Sequence, residues 1–335
     1  MKRFYPFALL TALTALTGCV ILHPETTATT HERSDVTDHS LLVDANYPCT
    51  WPTYLFPKFQ IQHFRAIGAG GPYNIDNLLI DGNTGTQIDV PPHSIPPPGA
   101  NLPLEGPLGL AYIDVTEPWK FTGQACVIDV SDLLDKSENG ISPLIEPQRV
   151  EAWEKANRRL GPGDVAIFRS GYSDRYYRPL PEGNHFIADV VDYKYPGWPD
   201  PSPACMDFLG RRGVKHVVVD SPSMGPRPDL AEPTHYEGLK YGQIFTEGAT
   251  GLGELPSTGA FYCCMGPKHK NGIYGEGRAF SIAAGKLADR LNQSAKAKRA
   301  VDLTVTLDMD YPVTWPGRTT ADHRTPYIRV EIFYA

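Results

Sequence analysis

Ser202-Pro203-Ala204-Cys205-Met206-Asp207-Phe208-Leu209-Gly210-Arg211-Arg212-Gly213, followed by Val214-Lys215-His216-Val217-Val218-Val219-Asp220, reads as one helix, one turn and one strand. Ser202 offers a side-chain oxygen to the free amides of a first helical turn, and Pro203 takes the first position, where an N–H has no helical partner. Gly213 stops the helix. Val214 to Val219 is a short run of the length of a buried strand, and Asp220 ends it. The same order occurs upstream: Val150, Trp153 and Leu160 carry helical spacing, Gly161-Pro162-Gly163 turns the chain, and Val165-Ala166-Ile167-Phe168 reads as a strand. Repeated helix–turn–strand units predict an α/β protein whose sheet is at least partly parallel.

Working outward, 335 residues with 41% hydrophobic and 21% charged side chains describe a globular chain long enough to bury a large core. Its 32 prolines are about twice ordinary usage, a density that excludes a helical bundle or coiled coil. Runs such as Pro91-Pro92 and Pro96-Pro97-Pro98 predict long ordered loops, where function concentrates. A net charge of −7 without a dense Lys/Arg run argues against a nucleic-acid partner. No apolar stretch of about 20 residues follows the first 22, which excludes a polytopic membrane protein.

Residues 1–18 read as a lipoprotein signal peptide: Lys2 and Arg3 are the positive start, and Phe7 to Thr17 is the short apolar stretch. Leu16-Thr17-Gly18-Cys19 resembles a bacterial lipobox, in which Cys19 takes the lipid and becomes the new N-terminus. Residues 19–37 are then a polar, lipid-anchored tether and 38–300 the domain. The expected location is the bacterial cell envelope, on the periplasmic or extracellular face, with the membrane met by the lipid anchor only. Of the other cysteines, Cys126 and Cys205 read as core filler, and Cys263-Cys264 as neighbouring reduced thiols. No CxxC spacing supports a zinc ribbon or a thioredoxin-like site.

Chemistry-bearing residues gather in two stretches. The first, Asn83-Thr84-Gly85-Thr86-Gln87-Ile88-Asp89-Val90-Pro91-Pro92-His93, sets polar side chains four, two and four residues apart on a loop fixed by glycine and proline. The second runs from Thr234-His235 to Thr246-Glu247-Gly248, with His235 and Glu247 twelve residues apart. Together they resemble the metal-dependent cyclase-like hydrolases, the family of bacterial kynurenine formamidase, isatin hydrolase and trans-dienelactone hydrolase. That family's signature is His-x-Gly-Thr-His-x-Asp-x-Pro-x-His, and Gly85, Thr86, Asp89, Pro91 and His93 are in register with it. Val219-Asp220-Ser221-Pro222-Ser223, Phe168-Arg169-Ser170-Gly171-Tyr172 and Gly277-Arg278-Ala279 follow in family order.

The resemblance implies a single cyclase-like domain of the swivelling β/β/α kind, with a mixed sheet and long proline-rich loops. It implies metal ligands at Asp89, His235 and Glu247, an acid/base at His93, and roles around them for Asp220, Ser223 and Arg278. Asn83 and Gln87 stand where the family has its first two histidines, and a carboxamide oxygen is a harder, weaker donor than imidazole. Three arrangements follow. One divalent ion, zinc or manganese, sits on Asp89, His235 and Glu247 beside a water; or Asn83 and Gln87 join through their oxygens and recruit a harder ion; or no metal binds. The implied activity is hydrolysis of an amide or lactone in a small aromatic or cyclic substrate. Formamide hydrolysis in tryptophan catabolism, the arylformamidase reaction of kynurenine formamidase, is the named example. The other class left open is a non-catalytic lipoprotein that holds a small molecule in the same pocket. The family tends to dimers or tetramers, so a homo-oligomer is expected.

One pattern lies outside that resemblance. Residues 302–316 echo 38–52 at a constant offset of 264, with Asp38, Asp44, Tyr47, Pro48, Thr50, Trp51 and Pro52 repeated identically. Residues 301–335 therefore read as an extension that copies the domain's own N-terminal segment.

Overall fold

The computed structural model describes residues 35–52, 59–68 and 71–308. The expected signal peptide, Cys19 and the tether as far as residue 34 lie outside the described residues, as do positions 309–335 of the C-terminal extension. In chain order the strands are β1 (Val36–Asp38), β2 (Gln60–Arg65), β3 (Ile75–Leu79), β4 (Gln87–Asp89), β5 (Thr122–Asp129), β6 (Leu144–Ile145) and β7 (Asp164–Arg169). They continue with β8 (Asp200–Pro201), β9 (His216–Val219), β10 (Ile244–Glu247), β11 (Thr258–Met265), β12 (Tyr274–Glu276) and β13 (Arg278–Ile282). The α-helices are α1 (Pro147–Ala156), α2 (Tyr172–Tyr176), α3 (Ala188–Val191), α4 (Pro203–Arg212), α5 (Ala231–Leu239) and α6 (Lys286–Lys296).

Local chemistry sets α4 as the sequence anticipates. The Cys205 amide donates to Ser202 Oγ at 3.2 Å, and Gly213 closes the helix at φ 81°. The upstream helix begins earlier, at Pro147, and ends at Ala156. Asn157 leaves helical geometry there and its amide donates to the Trp153 carbonyl, so Leu160 is buried beyond the helix.

Nine strands form one mixed sheet in the order β1-β13-β11-β5-β7-β9-β10-β4-β12. The four central strands β5, β7, β9 and β10 are parallel, and antiparallel strands extend both flanks. The fold is thus a mixed α/β domain with a large sheet. Alternation along the central strands buries both faces. Cys126, Ile128, Ala166, Phe168, Val217, Val219 and Phe245 pack with Val150, Trp153, Met206, Leu209 and Leu239 on the helical side. Ala125, Val127, Val165, Ile167, Val218, Ile244 and Ile88 face Ala260, Tyr262, Leu252 and Leu255 on the other. Cys49, Cys126, Cys205, Cys263 and Cys264 are all free and buried. Cys263 and Cys264 point to opposite faces of β11, which keeps the two thiols apart. Among the described residues no helix is long and apolar enough to cross a membrane.

The described residues begin inside the stretch expected as tether. Val36 to Asp38 pair with Ile282 to Phe280 because β13 offers an open edge there, and Asp38 also receives the Arg278 guanidinium. At the other end, residues 301–308 run beside 268–270. The Lys270 amide donates to the Leu307 carbonyl at 2.9 Å, the Leu307 amide to the Lys268 carbonyl at 2.8 Å, and Lys268 pairs with Asp302 at 2.8 Å.

Candidate metal centre

The loop that follows β4 is shaped before any ligand is considered. Pro91 and Pro92 open a short 3-10 turn, Pro91–His93, and the His93 amide closes it on the Val90 carbonyl at 2.9 Å. Thr86 ties three segments together: its hydroxyl donates to the Gly248 carbonyl at 2.6 Å and accepts from the Leu41 amide at 2.8 Å. In the sheet Asp89 pairs with Phe245 and Tyr274, and Gln87 with Glu247 and Glu276, so these side chains share the helical face. Gly238 lets α5 lie against that face. A Cβ there would stand 2.5 Å from Gln243 Oε1 and 2.7 Å from both Met206 Cε and Phe245 Cζ. The close approach brings His235, one turn earlier, over β4 and β10.

His235 Nε2 lies 3.7 Å from Asp89 Oδ2 and 3.4 Å from Glu247 Oε1, and His93 Nε2 lies 3.8 Å from Asp89 Oδ2. One ligand atom each from Asp89, His93 and His235 lies within 4.8 Å of the others. Asp89 is fully buried and neither of its oxygens has a hydrogen-bond partner. A buried carboxylate without donors costs several kcal/mol or more, so both oxygens call for a cation. Burial pushes the Asp89 carboxyl up, yet the imidazoles of His93 and His235 outweigh it and hold it down. Burial raises Glu247, and the Asp89 charge raises it further. Burial alone would lower His235, but Asp89 and Glu247 carry it well above its usual value. A divalent ion would satisfy all of these demands at once, and the donors offered to it are carboxylate oxygens and imidazole nitrogens.

The two histidines differ in their outer contacts. His235 Nδ1 lies 2.7 Å from the Ala231 carbonyl, which can only accept, so Nδ1 carries a hydrogen and Nε2 is the atom turned to the carboxylates and able to ligate an ion. Metal-bound histidines are normally oriented in this way. His93 Nδ1 is buried without such a partner. Its side chain remains 26% exposed and meets the Tyr274 ring edge-on at 5.3 Å.

Glu247 is already well supplied. Gln87 Nε2 donates to Oε2 and the Met224 amide donates to Oε1. Gln87 thus acts through its amide nitrogen, not as the oxygen ligand considered from sequence. Asn83 is also engaged elsewhere: its amide donates to Asp81 Oδ1 at 3.2 Å in a tight turn. Asp220 accepts from the Ser170 and Gly171 amides and the Ser170 hydroxyl, and burial lifts its carboxyl to about 6. It fixes the loop after β7. Ser223 is buried in the 221–225 segment, where its carbonyl accepts from Ser221 Oγ at 2.9 Å. Arg278 does not serve the centre: its side chain is 77% exposed and paired with Asp38, because its position in β13 points it to solvent.

Sequence reasoning missed three contributors. Asp200 is fully buried and accepts from Ser221 Oγ and the Gly225 amide at 2.7 Å each, which shapes the segment that presents Met224 to Glu247. Burial raises Asp200 well above the usual carboxylate range, and the Glu247 charge adds to it. Tyr274 comes from a strand far along the chain, and the Met224 contact is made by backbone, so neither carries a motif.

The chain matches the family model described as "Putative cyclase" over residues 23–226 and belongs to the cyclase family. No curated protein matches it. Isatin hydrolase A from Labrenzia aggregata, solved with benzyl benzoate, is 22% identical with a TM-score of 0.62, covering 75% of this chain and 94% of that one. Isatin hydrolase A from Ralstonia solanacearum is 23% identical with a TM-score of 0.60, covering 74% and 91%. An isatin hydrolase bound to the product analogue thioisatinate is 18% identical with a TM-score of 0.62, covering 75% and 92%. These likenesses establish the shared fold.

Proposed function

We propose that the chain is a metal-dependent hydrolase of an amide or lactone in a small aromatic or cyclic substrate, with aryl formamides as the first class to test. The observation that carries this reading is Asp89, whose two buried oxygens have no donor and face the imidazoles of His93 and His235. Membership of the cyclase family and a fold shared with proteins named isatin hydrolases support a hydrolytic reaction. The signal-peptide-like residues 1–18 and the lipobox-like Leu16-Thr17-Gly18-Cys19 support a reaction in the cell envelope.

Asp89 and His235 would hold the ion, with Glu247 beside them. A zinc or manganese ion bound there would supply Lewis-acid polarisation of a carbonyl and a water of lowered pKa. The Ala231 carbonyl keeps His235 in the tautomer that presents Nε2. Gln87 and the Met224 amide keep the Glu247 carboxylate fixed. His93, partly open to solvent and without an outer partner, takes a proton during attack and returns it to the leaving group. Its place against Tyr274 leaves an aromatic wall for a flat substrate.

The test is turnover by the purified full chain on a panel of aryl formamides, aryl cyclic amides and lactones, before and after chelation and with zinc or manganese restored. Turnover that follows the ion and falls by about 10² or more in His93→Ala, which keeps the ion, is the expected result. Capture of a panel member without any bond change, and unaffected by chelation, would return the chain to the ligand-binding class.

A further inference from the structure

The Asp81-Gly82-Asn83 turn, which precedes the metal loop, is built around the Tyr274 side chain. Tyr274 pairs with Asp89 across the sheet, and the Val90 amide donates to the Ile273 carbonyl at 3.2 Å, so the Tyr274 backbone is fixed beside the centre. Its ring lies on Gly82, where a Cβ would stand 2.6 Å from Cδ2 and Cε2, and it meets His93 edge-on at 5.3 Å. Asp81 Oδ1 accepts from the Asn83 backbone amide at 2.9 Å and from Asn83 Nδ2 at 3.2 Å. A carboxylate only accepts, which fixes the carboxamide with its nitrogen toward Asp81. Asn83 also hydrogen-bonds the Tyr274 side chain, and that bond favours the ionised phenol, as only a donor does. Nδ2 carries two hydrogens, one for Asp81 and one for Tyr274 Oη. Oη thus accepts from Asn83 and keeps its own hydrogen for another partner. Among the described residues no acceptor takes it. Burial raises the hydroxyl's pKa and the Asp81 charge adds to it, so the group remains a donor.

We propose that the Tyr274 hydroxyl is a catalytic hydrogen-bond donor to the substrate's carbonyl oxygen as that atom becomes an oxyanion, and that Asn83 is the positioning residue that aims it. This role rests on the hydrolase reading above and goes beyond the aromatic wall assigned there to the ring. When water adds to an amide or lactone carbonyl, the π electron pair moves onto oxygen. A donor already in place stabilises that charge without reorganising. Three contacts place Tyr274 in advance: Gly82 under the ring, His93 at its edge and Asn83 at its hydroxyl. His93 handles the proton and Tyr274 the developing charge, so two side chains in contact divide the chemistry. The carboxamide at position 83, considered from sequence as an oxygen ligand to an ion, serves the reaction through its nitrogen.

The experiment compares four zinc-loaded full-length chains: unaltered, Tyr274→Phe, Asn83→Ala and the double variant. Tyr274→Phe keeps the ring and its packing and removes only the hydroxyl. Two readings are taken, with elemental analysis of each protein. One is kcat and KM on the best substrate of the panel above. The other is the dissociation constant of phenylphosphonate, a tetrahedral oxyanion that binds without turnover. Every variant keeps its ion. In Tyr274→Phe, kcat falls about 100-fold with KM within about 2-fold, and phenylphosphonate binds about 10-fold more weakly. Asn83→Ala lowers kcat about 10-fold and adds nothing to Tyr274→Phe in the double variant. Equal phenylphosphonate affinity in the unaltered chain and Tyr274→Phe, or no binding by either, overturns the proposal and leaves the ring as a wall. Loss of the ion in Asn83→Ala makes Asn83 a ligand and overturns its positioning role. Tyr274-dependent binding of phenylphosphonate by a chain that turns over no panel member supports the donor and contradicts the hydrolase reading.

Discussion

His216 makes the stability of this chain fall on acidification by an amount that can be worked out in advance. It begins β9, is 1% exposed and rests its Nε2 on Thr246 Oγ1 at 2.7 Å, while Nδ1 is buried without a partner. Burial pushes its pKa from 6.5 to about 3. Between those values the unfolded chain binds a proton that the folded chain refuses. The contribution is therefore fully present above pH 6.5 and is lost as pH falls toward 3. At about 1.36 kcal/mol per unit, the loss between pH 7 and pH 4.5 is about 2.5 kcal/mol. Because pH 4.5 lies well above the native value, the unfolded pKa largely sets this figure. His216→Gln keeps a polar contact for Thr246 and removes the titration. Urea unfolding at the two pH values, compared with the unaltered chain, cancels any cost that does not depend on pH and any slope from carboxylates common to both. The unaltered chain should lose about 2.5 kcal/mol more than the variant, near 1 M in the urea midpoint. Parallel pH dependence in the two proteins, within about 0.5 kcal/mol, would refute the argument that a neutral buried imidazole lies beside β10.

Two further perturbations test how the centre is held. Gln87→Leu removes the donor on Glu247 Oε2 and leaves a buried carboxylate oxygen short of a partner. The expected loss is about 2 kcal/mol, near 3 °C in Tm, read by calorimetry; a variant as stable as the unaltered chain would mean that the contact contributes nothing. Gly82→Ala would place a Cβ 2.6 Å from two ring carbons of Tyr274 and push the ring off His93. The kcat/KM should fall about 10-fold, and adding Tyr274→Ala should cause no loss beyond that of Tyr274→Ala alone. Losses that simply multiply would show that the glycine acts elsewhere.

What could be read in advance followed from local chemistry. The helix over 203–212 was visible because its cap, its first proline and its closing glycine are adjacent in sequence, and each has a local physical effect. The strand Asp164–Arg169 showed through its inner residues Val165 to Phe168, a continuous apolar run that only two-sided burial explains. Asp89 and His93 stood out because the proline loop fixes their spacing. The roles of Asn83 and Gln87 did not, since the same carboxamide can present either its oxygen or its nitrogen, and only Asp81 and Glu247 decide which. Asp200 was hidden because it works through a serine hydroxyl and a backbone amide more than 20 residues away in sequence. The edge pairing of Val36 to Asp38 was hidden for a similar reason, since its partner lies at the far end of the chain.

The account rests on an ion at Asp89, and the metal content of the purified full chain tests it most directly. After dialysis against zinc and manganese and removal of excess, elemental analysis should find about one ion per chain, and none after chelation or in Asp89→Ala. No bound ion in the unaltered chain after that treatment, or equal metal in the variant, would contradict it.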